Sequence, residues 1–216
     1  MDSILLIIFP IFALIYSVII HEYSHGWMAD RLGDPTARNE GRLTLNPIPH
    51  IDPIGSIILP ALLIFSNAGF IIGWAKPVPF NPYNLRDKKY GAAKVAAAGP
   101  GANFLIALTL GIILRFIPFA AFSDFTVAIF SQLIAYVVWL NLLLMIFNLL
   151  PIPPLDGSKI LLIFLPFKYQ EIIYRFERYG MIILFLFIFI LFPFIVLPIL
   201  TFLFQLITGH PFGFFL

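Results

Sequence analysis

Residues 21 to 25 read HEYSH. On a helix, positions four apart share a face, so His21 and His25 offer two imidazoles to one metal ion. Glu22 stands one residue on, beside such a metal rather than on it. There a carboxylate can take a proton from water that the metal activates. Zinc suits this donor set, because it accepts imidazole and carboxylate in a tetrahedral site with one open position. The chain has no cysteine, so every ligand must be His, Asp, Glu or a neutral oxygen. The bland alternative is that HExxH arose by chance and the histidines are interfacial polar groups, since three fixed residues make a short pattern.

A catalytic zinc needs a third protein ligand. The pool is His50, His210 and the few acidic residues. Asp156, in NLLPIPPLDG (148–157), is the strongest candidate. It follows a stretch with no charge from Phe125 onward, and three prolines break that stretch just before it. Such a break lets the chain fold back and aim a carboxylate at the metal. Asp156 reads equally well as a helix N-cap, since Asp-Gly-Ser precedes ILLIF.

These residues need elements to hold them, and composition indicates which. Of 216 residues, 61% are hydrophobic and only 11% charged, against roughly a quarter charged in soluble domains. An all-α polytopic membrane protein is expected, as a single domain over 1–216. The net charge is +2 and the basic residues are clustered, which argues against nucleic-acid binding. Long apolar runs with few or no charges mark spans at about Ile4–Met28, Gly91–Ile117, Phe125–Leu150 and Tyr179–Leu206. Pro193 and Pro198 predict a kink or break in the last. The first run lacks a basic leader and a small-residue cleavage site, so it reads as a retained span.

Lys and Arg follow the first span (Arg31, Arg38, Arg42), precede the second (Lys76 to Lys94) and lie between the third and fourth (Lys159 to Arg178). Positive-inside bias puts these segments in the cytoplasm, in a cell (plasma or inner) membrane. A fifth apolar stretch, 53–75, is flanked by basic residues on both sides and interrupted by Pro60 and Ser66-Asn67-Ala68-Gly69. It therefore predicts a re-entrant excursion, a short helix returning as an extended segment over 53–80, rather than a crossing. The return, GFIIGWAKPVPF (69–80), is expected near the active groove. A helix entering near Ile4 has descended about 25 Å by His21, so HEYSH lies in the membrane or at its cytoplasmic boundary. Ionisable groups there are costly and usually functional.

HEYSHG, NPIPHIDPIG (46–55), GWAKPVPFNP (73–82), AAAGPGAN (96–103) and FNLLPIPPLDG (147–157) occur in an order that resembles the site-2 proteases, over nearly the whole chain from His21 to about Leu162. The resemblance implies an intramembrane zinc metalloprotease that hydrolyses transmembrane proteins, in regulated intramembrane proteolysis. By it, His21, His25 and Asp156 look like the ligands of one Zn2+ per chain, and Glu22 like the catalytic base. Asn148 matches an asparagine that holds the substrate backbone or stabilises the oxyanion; an interhelical hydrogen bond is its bland reading. No PDZ or CBS segment is visible, so the chain resembles the compact subgroup. Substrate selection is then expected to rest on the membrane core or on regulatory partner proteins.

His50, in a basic loop, reads as structural rather than as a ligand. Ala93, Ala97 and Gly101 form a four-residue small stripe, read as a helix-packing face. Asn103 is expected to tie its span to a neighbour. The first, second and third spans, with a short additional helix allowed for after Asp156, make the core in this reading. A metal transporter using the same His and Asp residues is the main alternative, but no chain of ionisable groups crosses the later spans. A non-catalytic scaffold would not need Glu22. A serine or aspartate intramembrane protease lacks G-x-S-x-G or a second aspartate at matching depth. Substrate identity and oligomeric state are left open.

Overall fold

The computed structural model describes residues 2–66, 73–118, 125–165 and 178–215, with side chains from Ile8 onward. The described residues form helices and loops. Helix α1 (Asp2–Arg31) ends where Gly33 takes a positive φ of 104° and Asp34 N–H reaches back to the Ala29 carbonyl, 2.9 Å away. Glycine stops the helix there because it adopts that backbone without a steric penalty. A single turn, α2 (Thr36–Asn39), follows. Asp52 then caps a π turn (Pro53–Ile58) by accepting from Ile54 N and Gly55 N, and this runs into α3 (Leu59–Phe65).

The apolar helix Pro53–Phe65 is only about 20 Å long at ~1.5 Å per residue, too short to cross a hydrocarbon core of ~30 Å. That length fits the expected re-entrant excursion rather than a crossing. Residues 67–72, part of the expected return, lie outside the described residues. From 73 to 80 the chain is extended.

Then come α4 (Gly91–Arg115), α5 (Phe125–Asn148), α6 (Asp156–Phe164) and α7 (Arg178–Thr208). Four helices are long and apolar enough to span: α1, α4, α5 and α7. The break expected at Pro193 takes the form of a π turn, Phe187–Leu191, and the helix then continues through Pro198. Proline cannot bond back to the preceding turn, and a widened turn absorbs that loss.

α5 is the central helix and α7 the peripheral one, with 44% and 17% of their apolar windows buried. Leu114, Val138, Leu142, Leu200, Phe204 and Ile207 form the apolar core between α4, α5 and α7. Lipid is as apolar as these side chains, so close fit holds the helices together rather than escape from water. At Gly111 a Cβ would sit 2.5 Å from Ile207 Cγ2, so the missing side chain lets α7 approach. The N-terminal half of α7 meets the core sparingly. Its Gly180 is buried against Pro153, where a Cβ would lie 2.5 Å from the Pro153 carbonyl oxygen.

The expected packing stripe on α4 is out of phase. Ala97 is exposed and nothing approaches within 4 Å of a Cβ built on Gly101. The buried face is Val95, Ala96, Gly99, Pro100 and Asn103, which turns toward α1. Four-residue spacing is shared by every stripe on a helix whose residues are small nearly all round.

Candidate metal centre and active site

His21 and His25 lie one turn apart on α1, their rings edge to face at 4.6 Å between centroids. Their Nε2 atoms are 3.0 Å apart. Asp156 Oδ2 completes a triangle, 3.1 Å from His21 Nε2 and 3.0 Å from His25 Nε2. All three residues are buried. A tetrahedral zinc with bonds of ~2.0–2.1 Å needs ligand atoms about 3.3 Å apart, so the triangle is close to the required size. His25 Nδ1–H donates to the Val95 carbonyl at 2.7 Å, and His21 Nδ1 lies 2.6 Å from Asn103 Oδ1. With both Nδ1 atoms so engaged, each Nε2 directs a lone pair at the other and at a carboxylate oxygen. A divalent cation would relieve all three at once. The residues therefore fit a metal.

The chain brings Asp156 135 positions back to His21 through the proline-rich break after α5. Gly157 makes the return tight: a Cβ there would strike the Leu149 carbonyl. The N-cap reading of Asp156 does not hold. Leu155 occupies the cap position, and the Asp156 carboxylate faces the histidines instead. Lys159 Nζ reaches the outer oxygen, Oδ1, at 3.2 Å, leaving Oδ2 to the triangle.

Glu22 borders the same cavity of about 150 Å³, together with Asn148, Lys159, Pro77, Val78 and Phe80. Its Oε2 accepts the Val78 N–H at 2.8 Å. The extended 73–81 segment is thus tied to the catalytic helix, and further bonds anchor it on either side of that contact. Trp74 N donates to Gly55 O, Lys76 N to His50 O, and Asn81 N to Asp34 Oδ2. Gly26 makes room for it, since a Cβ there would come within 2.9 Å of Val78 Cγ1. The segment reaches the groove as expected from its aromatic and β-branched content.

Asn148 is half-buried at the end of α5, and its Nδ2 donates to Leu144 O at 2.9 Å. This bond stays within its own helix, so the interhelical reading is not what the structure has. His50 is buried outside the cavity, with Nε2 3.0 Å from Thr44 O. It holds the loop, as expected. His210 stacks on Phe214 beyond the far end of α7.

Sequence reasoning missed Gly99. A Cβ there would collide with the His25 imidazole and come within 2.7 Å of His21 Nε2. The signal was present as Gly-Pro inside an otherwise unbroken helical run. It also missed Asn141 and Ser17, which join Asn103 behind His21, and it assigned nothing to Lys159 or to the Val78 amide.

A model of peptidase family M50 matches residues 117–191. "Putative zinc metalloprotease YwhC" of Bacillus subtilis is 36% identical over 176 residues, 80% of this chain and 76% of that protein. "Putative zinc metalloprotease Rip2" of Mycolicibacterium smegmatis is 36% identical over 141 residues, and its Mycobacterium tuberculosis counterpart 31%. Those alignments cover 65% of this chain and about half of the Rip2 proteins, 51%. No solved structure matches the chain significantly.

Proposed function

The chain belongs to peptidase family M50, and on that premise we propose that it hydrolyses transmembrane protein substrates within the bilayer. It is an integral membrane protein and a zinc metalloendopeptidase. In this reading His21, His25 and Asp156 hold the zinc, Glu22 is the base, and Asn148 binds the substrate backbone. One observation carries it: three buried ligand atoms within 4.8 Å of one another, at the end of a membrane span and on the same cavity as Glu22.

Zinc, when bound, supplies Lewis acidity toward the scissile carbonyl and toward water. Glu22 accepts the proton of the attacking water and returns it to the leaving amine. Val78 N–H holds one carboxylate oxygen in place, which leaves the other for the proton. Asn148 commits one amide hydrogen to Leu144 O and has the second for a developing oxyanion.

A substrate helix hides its carbonyls in its own hydrogen bonds and must unwind before hydrolysis. The 73–80 segment can receive the unwound strand by β-addition, because its bonds to the protein leave one edge open. Among the described residues, the Ala75 N–H and the carbonyls of Ala75, Pro77 and Pro79 make no hydrogen bond, so this edge offers one donor and three acceptors. Deletion of this segment with zinc and full activity retained would count against that role.

The cavity faces the cytoplasm in this reading. The ends of α1 and α5 and the beginning of α4 that carry the site adjoin the segments rich in Lys and Arg.

Glu22→Gln tests the proposal with a membrane-embedded reporter. The expected result is zinc retained and cleavage reduced at least 100-fold, within the ~10²–10⁴ typical of a general base. Unchanged cleavage refutes the mechanism. Metal flux that survives the substitution favours transport instead.

A further inference from the structure

We propose that Asn103 and Asn141, with Ser17, are positioning residues that set the tautomer of His21 and so direct its Nε2 lone pair at the metal. The proposal rests on His21 as a zinc ligand.

Three residues from three helices meet behind the imidazole. Asn103 (α4) and Asn141 (α5) are fully buried, and Ser17 (α1) is 4% exposed. Their amides have a direction that two main-chain carbonyls impose. Asn141 Nδ2 lies 2.9 Å from the Val137 carbonyl, which only accepts, so this atom is the nitrogen. The same nitrogen donates to Ser17 Oγ at 2.9 Å. Asn141 Oδ1 therefore faces Asn103 and receives its Nδ2–H at 2.8 Å. The Ser17 carbonyl requires the same orientation independently, since it accepts from Asn103 Nδ2 at 3.2 Å.

Asn103 Oδ1 is consequently the atom 2.6 Å from His21 Nδ1. An acceptor that close, with no freedom to turn, demands a proton on Nδ1. The Nε2 opposite is then a lone pair. Turning either amide over would set donor against donor or acceptor against acceptor in a site closed to water, where such mismatches are expensive. Free imidazole has no such constraint and can carry its proton on either nitrogen. The relay thus prepares the ligand before metal arrives. A second, shorter version serves His25, whose Nδ1 is held by the Val95 carbonyl.

A purely structural role is the rival reading, since the cluster also joins three helices. Two substitutions separate them. Asn103→Leu removes the acceptor but leaves an apolar fit. Asn103→Asp keeps an acceptor for Nδ1–H while setting carboxylate oxygens against the Ser17 carbonyl and Asn141 Oδ1. Positioning predicts that Leu weakens zinc binding and Asp preserves it, even though Asp is the less stable protein. Structure alone predicts that zinc binding follows stability.

The experiment uses the full chain in nanodiscs, with zinc affinity by chelator competition and stability by thermal melting. ¹⁵N-histidine NMR of the zinc-free protein reads the tautomer. The expected loss for Asn103→Leu is about 10- to 100-fold in zinc affinity, the usual cost of removing a partner behind a metal ligand. Its His21 resonance should move toward the Nε2–H form. Asn103→Asp should stay within about threefold of the parent by the same measure. If Asn103→Asp loses zinc as severely as Asn103→Leu, the relay is overturned. If Asn103→Leu keeps both affinity and tautomer, it is also overturned. Should Asn103→Leu fail to accumulate, Asn103→Asp alone decides, because a tenfold loss there refutes the proposal. His21→Ala checks the premise separately: zinc retained in that variant sinks the ligand reading, whatever Asn103 does.

Discussion

Gly99→Ala adds one methyl group to α4 where it faces both imidazoles of the site. The new Cβ would overlap His25 Nε2, and would lie 2.6 Å from His25 Cε1 and 2.7 Å from His21 Nε2. A relaxed contact between carbon and a ring atom is about 3.5 Å, so His21 must withdraw by roughly 0.8 Å and His25 by about 1.1 Å. Neither is free to do so. Each is held on its far side, His21 by Asn103 at 2.6 Å and His25 by Val95 O at 2.7 Å. Withdrawal breaks these bonds or skews the ligand triangle. Losing one buried bond costs about 1–3 kcal/mol, and two rings are affected. A penalty of about 2–4 kcal/mol corresponds to roughly 30- to 1000-fold weaker zinc binding.

The helix itself gains, because Ala outranks Gly in helix propensity by about 1 kcal/mol. Zinc affinity and helix stability should therefore move in opposite directions. Gly101→Ala is the matched control, two residues on with nothing within 4 Å of its Cβ. Chelator competition and reporter cleavage in nanodiscs measure the outcome. Zinc binding within about threefold of the parent in Gly99→Ala, a cost under ~1 kcal/mol, would refute the steric reasoning.

Other outcomes follow from the segments around the cavity. Val78→Pro removes the N–H that holds Glu22, and should cut cleavage at least ~10-fold relative to Val78→Ala at equal zinc content, the scale of a misplaced general base. Lys159→Met should change zinc affinity less than about threefold, because its partly exposed ion pair with Asp156 is worth little. Asp34 is fully buried and accepts from Thr36, Asn81 and Asn84. Burial raises its carboxyl, but these bonds outweigh it and hold the group below the ordinary 3.8. A depressed folded value means the anchor is intact above pH 3.8 and is lost only as pH falls through that lower value. Hydrogen exchange at Asn81 should therefore stay slow from pH 7 to 5 and accelerate only in stronger acid. Asp34→Asn, which turns one acceptor into a donor facing other donors, should destabilise the 73–81 segment by about 1–3 kcal/mol, seen as exchange there at neutral pH.

The elements of this fold were legible because each is a local pattern. Long apolar runs marked the four spans, and basic residues on both sides of 53–75 argued for a re-entrant excursion over a fifth crossing. His21 and His25 were legible because their relation is one turn of one helix. Asp156 could be nominated from the proline break before it, but not separated from an N-cap; that depended on how sharply Gly157 turns the chain against Leu149. Gly99, Asn103 and Asn141 resisted for a different reason. What matters about each is its neighbour on another helix, 82 positions away for His21 and Asn103 and 124 for Ser17 and Asn141. The small residues of α4 made the problem worse: Ala and Gly occur on nearly every face, so spacing alone chose the wrong stripe.

The contact between Gly180 and Pro153 has a mechanical consequence. α7 is the most lipid-exposed span, and Pro153 is three residues from Asp156, so the loosest helix leans on the loop that carries a candidate ligand. A span longer than the local bilayer accommodates by tilting. The Gly180–Pro153 contact thus gives the most lipid-exposed span a backbone neighbour in the loop that leads, three residues on, to Asp156.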